Sequence, residues 1–258
     1  MAPSLEAYMD RHGLRQVNPY ETEYLYQEIF EHEAYLKYGI RLSNAPVIFD
    51  VGANIGLFTL FMKERFPAAT IYAFEPATEP HACLVHNVSR FERGIEAFNV
   101  GLSDVNGEVD FTYYPGYSVL SGFHSDHARD SSLIIESILH FADPETVRRA
   151  EIEAMVLERL RRTTTTKCPT RTLSRILREH EVAKIDLLKI DAEHSELAIL
   201  RSIHSDDWAI IDQIVVEVHD GTELSIIRSM LKSRGFDVAI DQEPALAKSG
   251  IYNIHAAR

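Results

Sequence analysis

The run Phe49-Asp50-Val51-Gly52-Ala53-Asn54-Ile55-Gly56 puts an acid at the end of an apolar stretch and two glycines in the turn that follows. Glycine turns between a strand and a helix let a ligand approach the backbone closely. A dinucleotide site would call for GxGxxG here, and an acid so near the loop would repel a pyrophosphate. A cationic sulfonium with an amino-acid moiety meets no such conflict: Asp50 would help position its ammonium end and Gly52 would admit it. Glu75 closes the next apolar run, Ile71 to Phe74, about 20 residues past the turn, the spacing of a carboxylate that accepts both ribose hydroxyls. Taken alone that spacing also suits NAD; with Asp50 and the missing third glycine it favours S-adenosyl-L-methionine (AdoMet). Gly101-Leu102-Ser103-Asp104 would offer an amide, a hydroxyl and a carboxylate to an adenine edge, or would simply turn into Asn106-Gly107.

Further acids and a histidine end two later apolar runs, Asp191 with Glu193 after Ile190, and Glu217 with His219 around Val218. Methyl transfer from a sulfonium to an alcohol is an in-line displacement that needs the hydroxyl proton removed. A neutral imidazole titrating near ambient pH, its tautomer fixed by a carboxylate, can do this. His219 is therefore expected as general base and Glu193 as its orienter or as a hydrogen-bond partner of the acceptor; a helix-capping histidine and a surface ion pair are the plainer readings. His194, His124 and His127 are weaker candidates. Asp191, Glu193 and His219 would accept a divalent ion, but the paired-acid spacing of metal-dependent methyltransferases is not evident, so no metal is expected. Tyr24, Tyr26, Tyr114 and Tyr117 would line an acceptor pocket or pack half-buried.

These residues need a scaffold of strand ends. Val47 to Val51 suits a buried parallel strand, Leu57 to Phe66 a helix, Ile71 to Phe74 a strand, His81 to Arg90 a helix and Ile95 to Val100 a third strand. Val109 to Tyr114 alternates as a short strand. The alternation resumes with a helix at Thr172 to His180, a strand at Ile185 to Ile190, a helix at Ser195 to Ile203, a strand at Gln213 to Val218, a helix at Glu223 to Ser233, and closing strands at Asp237 to Ile240 and Tyr252 to His255. Serial βα units with short connections predict an α/β fold, Rossmann-like, with a doubly wound, mostly parallel sheet. Residues 1–45 form an N-terminal helical extension, Tyr26, Ile29 and Phe30 recurring at helical spacing, and 46–258 the main domain. The segment 116–166, with helices at Ser132 to Phe141 and Pro144 to Arg162 and a run of four threonines, is too long for an ordinary connection and is expected to be a helical lid.

Composition narrows the partners. Twenty-six Lys and Arg against 39 Asp and Glu give a formal charge of −13, a field that disfavours nucleic acid. Cys83 and Cys168 stand in unrelated contexts and read as free thiols of a reducing compartment. Without a basic-then-apolar N-terminus or an apolar run of about 18 residues, the expectation is a cytoplasmic chain with no membrane partner. Arg148-Arg149 and Arg161-Arg162 would dock an acyl or peptidyl carrier protein, or form a solvated helix face.

Val47 to Phe61, Ala73-Phe74-Glu75-Pro76, Gly101 to Asp104, Leu188 to Glu193 and Val216 to His219 together resemble the FkbM family of methyltransferases, in the family's order and over about Pro46 to His219. The resemblance implies the class I AdoMet methyltransferase fold and O-methylation of secondary metabolites and sugars. It places Asp50, Gly52, Asn54 and Gly56 at the methionine end of the cofactor, Glu75 at the ribose, and Ser103 and Asp104 on the adenine side; Asp191, at its strand end, is expected at the cofactor as well. The N-terminal stretch from Asn18 and the long insertion resemble enzymes associated with polyketide and peptide assembly lines. One departure stands out: His194 follows Glu193 where family members usually carry glycine. Three readings follow: an O-methyltransferase for a hydroxylated small molecule, free or carrier-tethered; an AdoMet-binding scaffold without catalysis; and a nicotinamide-dependent oxidoreductase.

Overall fold

A computed structural model describes residues 3–115, 117–141, 148–242 and 250–258. Seven strands form the main sheet: β1 (Val47–Val51), β2 (Thr70–Phe74), β3 (Ile95–Phe98), β7 (Leu187–Ile190), β8 (Gln213–Val218), β9 (Asp237–Asp241) and β10 (Tyr252–Ala257). Their order is β3-β2-β1-β7-β8-β10-β9. β1 pairs in parallel with both β2 and β7, and β7 with β8, whereas β10 runs antiparallel between β8 and β9. The order reverses between β1 and β7, so the carboxyl ends of those two strands border a crevice in which open α/β sheets bind ligands.

Side chains alternate across the strands and feed two cores. Phe49, Val51, Phe74, Leu188 and Ile190 pack against α7 (Leu173–Glu179), α8 (Glu196–Arg201) and α9 (Gly221–Ser233). On the opposite face Ile48, Ile71, Leu187 and Val215 meet α3 (Leu57–Arg65) and α4 (Thr78–Val88). The extension joins this second core. Its α1 (Leu5–His12) is capped by Ser4 and its α2 (Pro19–Tyr26) by Asn18, with Pro19 in the first turn where no N–H is needed. A single π-type turn at Gln27–Glu31 then buries Ile29 and Phe30 beside Tyr8 and Tyr26.

A second sheet corrects two sequence expectations. The third strand stops at Phe98 rather than Val100, because the Asn99 amide turns back to donate to the carbonyls of Glu75 and Pro76. Gly101–Leu102 (β4), Gly107–Tyr113 (β5) and Thr164–Arg171 (β6) then pair in the order β4-β6-β5. The threonine run is thus a strand and not part of a lid: β-branched residues suit the pleat, and β5 supplies an antiparallel partner from Gly107↔Thr170 to Tyr113↔Thr164. Between these strands lie α5 (His127–Phe141) and α6 (Arg149–Leu160), packed through Ile134, Ile135, Ile152, Val156 and Leu160 around Tyr114 and Tyr117. The expected start of the second lid helix at Pro144 falls outside the described residues.

Candidate active site

The Gly52 turn sits at the crevice. The Gly52 and Ala53 N–H groups both donate to the Phe74 carbonyl at 3.0 Å, tying the end of β1 to that of β2. Gly52 has φ +77°, and a Cβ there would lie 1.7 Å from the Asp191 carbonyl oxygen. Glycine is thus required by the neighbouring strand end even before a ligand arrives. Gly56, at φ +89°, faces Leu84 Cδ1 at 2.6 Å from where its Cβ would stand, so it serves helix packing.

Asp50 departs from its expected place. It is fully buried, accepts a hydrogen bond from Thr59 Oγ1 at 2.6 Å and pairs with Lys189 Nζ at 3.3 Å; it does not line the cavity. Its carboxylate secures α3 and Lys189 below the turn. Lys189, unmarked in the sequence reading, also pairs with Asp191 Oδ2 at 3.3 Å and donates to the Gly52 carbonyl at 3.0 Å. Burial opposes its charge, yet Asp191 and Asp50 hold it protonated far above the usual lysine range. A lone lysine inside an otherwise apolar strand was the available signal.

Glu75 faces the cavity. Its Oε2 accepts from the Asn54 N–H and its Oε1 from the Ala77 N–H, each at 2.8 Å. Burial pushes its carboxyl up to about 7, partly offset by those two donors. Asn54 itself, at φ +49°, supports Glu75 from the backbone and turns its side chain onto the Ile55 N–H. Ser103 donates to Asp104 Oδ1 at 3.2 Å in the turn before β5, and neither lines the cavity; Gly101 and Leu102 do.

The acids of β7 and β8 converge. His219 Nδ1 lies 2.8 Å from Glu196 Oε1, at the start of α8. Its Nε2 lies 3.2 Å from Glu217 Oε1, 3.4 Å from Glu193 Oε1 and 3.9 Å from Asp191 Oδ1. The expected orienter is therefore displaced: Glu196 fixes the ring, and Glu193 stands on the other nitrogen. The expected neutral imidazole is also corrected. Although burial opposes its charge, Glu193 and Glu196 hold His219 protonated well above the usual histidine range. Burial raises Glu193 far above the usual carboxylate range against the pull of His219, and raises Glu217 as well. Glu217 was legible as sharing a strand face with His219, two positions on; Glu196 carried no such signal.

The unusual His194 has a structural consequence. Glu193 and His194 adopt φ +36° and +65°, the left-handed region in which glycine is at ease. Burial and the His219 charge lower the His194 imidazole to about 4, and its ring lies 5.6 Å from that of His219.

Glu75, Asp191, Glu193, Glu217 and His219 open into one cavity of about 660 Å³. Val51, Gly52, Glu75 and Leu102 form its sheet side, while the extension supplies Asn18, Glu21 and Tyr24, and residues 117–123 with Met155 and Arg159 close the other side. Ser118 Oγ donates to Glu21 Oε2 at 2.5 Å, joining the two segments, and burial pushes Glu21 up to about 7. Tyr24 and Tyr117 line the space as expected; Tyr26 and Tyr114 do not, being packed with their hydroxyls on the Pro3 carbonyl and Asp130. His124 is exposed, and the side chain of His127 lies outside the described ones. Cys83 and Cys168 are free and buried.

Sheet order, glycine turn and acid-lined cleft are those of a Rossmann-like class I methyltransferase. Residues 50–238 match the methyltransferase FkbM domain, and the chain belongs to the FkbM family of methyltransferases. It is 37% identical over 244 residues to 31-O-demethyl-FK506 methyltransferase FkbM of Streptomyces tacrolimicus, covering 94% of this chain and 92% of that protein. It is 36% identical over 257 residues to AMB antimetabolite synthetase AmbE of Pseudomonas aeruginosa; this covers 96% of the chain but spans only 12% of the synthetase. Among solved structures, methyltransferase FkbM from Methylobacillus flagellatus superposes with a TM-score of 0.56 at 13% identity, over 98% of this chain and 58% of that one.

Proposed function

We propose that this methyltransferase is AdoMet-dependent and methylates a hydroxyl of a small-molecule natural-product intermediate, free or tethered to an acyl or peptidyl carrier protein. The observation that carries this reading is the convergence of Glu193, Glu217 and His219 on the cavity that Glu75 also lines. The relative named for a demethyl-FK506 substrate and the match within a synthetase support the acceptor class.

The residues fit the cofactor chemically. Each Glu75 oxygen accepts one backbone N–H and keeps a second lone pair, enough for a ribose diol. Asp191, Glu193 and Glu217 line the same cavity and offer carboxyl oxygens to the cofactor's amino group. When bound, AdoMet supplies a methyl group on an electron-poor sulfonium. Glu193 takes the hydroxyl proton: its carboxylate lines the cavity beside His219, and burial raises its affinity for a proton. His219, its ring fixed by Glu196, stands beside Glu193 at 3.4 Å. The extension and residues 117–123 exclude water from the reacting oxygen.

Isotope-labelled AdoMet offered with hydroxylated polyketide and peptide acids, free and pantetheine-linked, tests the reading by the site of the label. An O-methyl product is expected, with kcat falling about 10²-fold or more in Glu193→Gln while AdoMet affinity holds. Label on nitrogen or carbon, or full turnover by Glu193→Gln, would overturn it.

A further inference from the structure

Asp191 at the end of β7 and Glu217 and His219 at the end of β8 each bring one potential ligand atom to a common point, the three atoms lying within 4.8 Å of one another. Nε2 of His219 stands 3.2 Å from Glu217 Oε1 and 3.9 Å from Asp191 Oδ1. Charge-assisted hydrogen bonds to carboxylates close to about 2.7–2.9 Å, so these groups are spread apart. Ligand bonds of ~2.1 Å around a small octahedral ion place neighbouring donors about 3.0 Å apart and opposite ones about 4.2 Å. Both distances from Nε2 lie between those two limits.

Two independent features point to an occupant. Glu217 is 8% exposed, and its Oε2 is fully buried with no hydrogen-bond partner among the described residues, although the side chain lines the cavity. A carboxylate oxygen left that way is costly unless something cationic meets it. On the far side of the ring, Nδ1 lies 2.8 Å from Glu196 Oε1. A carboxylate taking the other ring N–H is the arrangement that fixes the tautomer and orientation of metal-bound histidines.

We propose that Asp191, Glu217 and His219 hold a divalent cation, Mg²⁺ or Mn²⁺, which displaces the proton from Nε2 and takes that nitrogen's lone pair. Two oxygens and one imidazole suit such ions and leave positions for water or for the acceptor. Binding of the ion stands by itself; its part in the reaction rests on the hydroxyl acceptor proposed above. There the ion draws electron density from the acceptor oxygen, and the O–H proton passes to the Glu193 carboxylate. The oxygen lone pair forms the new C–O bond as the C–S bond breaks, its electron pair staying on sulfur.

Mn²⁺ titrated into EDTA-treated, dialysed protein and followed by the electron paramagnetic resonance of the free ion tests the site without turnover. One saturable site is expected, weakened about tenfold or more in both Glu217→Gln and His219→Ala, with AdoMet binding in the same samples showing that each variant is folded. No binding at millimolar Mn²⁺, or equal affinity in the wild type and folded Glu217→Gln, would overturn the site. If Mn²⁺ binds as expected and the labelled methyl arrives on nitrogen, the site survives and the hydroxyl reading fails. If O-methylation proceeds equally fast in EDTA and in Mn²⁺, the hydroxyl reading survives and the ion's role in the reaction is overturned.

Discussion

At the residue scale, identity and position separated. The acids that end the strands were visible from sequence because runs such as Val47 to Phe49 and Ile214 to Val216 are apolar until an acid, Asp50 or Glu217, interrupts them. What each acid touches was not visible. Asp50 faces Thr59 and Lys189 below the turn, and Glu196 displaces Glu193 as the partner of Nδ1, because these contacts depend on helix starts and on neighbouring strands. His194 provides a test of the same kind. Its φ of +65° is strained for any residue with a Cβ, so His194→Gly is expected to stabilise the fold by roughly 1 kcal/mol in urea unfolding, net of the added unfolded-state entropy. A loss of stability would mean that the imidazole beside His219 contributes more than its backbone strain costs.

At the scale of elements, the sheet and its flanking helices were legible because parallel strands buried on both faces are short apolar runs and the helices carry their own period. β6 was hidden: among its eight residues only Cys168 and Thr170 are buried, and its partner β5 lies far off in sequence. The joint between extension and insertion was equally invisible, since Glu21 and Ser118 are distant in the chain. It has a pH signature. Burial raises Glu21 from 4.5 to about 7, so between those values the folded protein keeps a proton that the unfolded chain has released. Stability contributed by this group is therefore full below about pH 4.5 and declines as pH rises through 7, by at most about 3 kcal/mol. Glu75 acts in the same sense. In Glu21→Gln the fall in melting temperature between pH 5 and pH 8 should be smaller than in the wild type; parallel slopes would show that Glu21 is not desolvated by the closed arrangement.

At the scale of the whole molecule, the chain couples a methyltransferase sheet to two added segments that together wall one cavity. Its charge of −13 sets it against polyanions, and among the described residues no helix is long and apolar enough to cross a membrane. The cofactor site proposed above is the cleft at the ends of β1, β2 and β7, with Glu75 on the ribose of AdoMet. Calorimetric titration of AdoMet and of NADH against the wild type and Glu75→Ala tests that site. A single saturable AdoMet site is expected, about tenfold or more weaker in Glu75→Ala, with no binding of NADH. Equal AdoMet affinity in a folded Glu75→Ala, or preference for NADH, would contradict it.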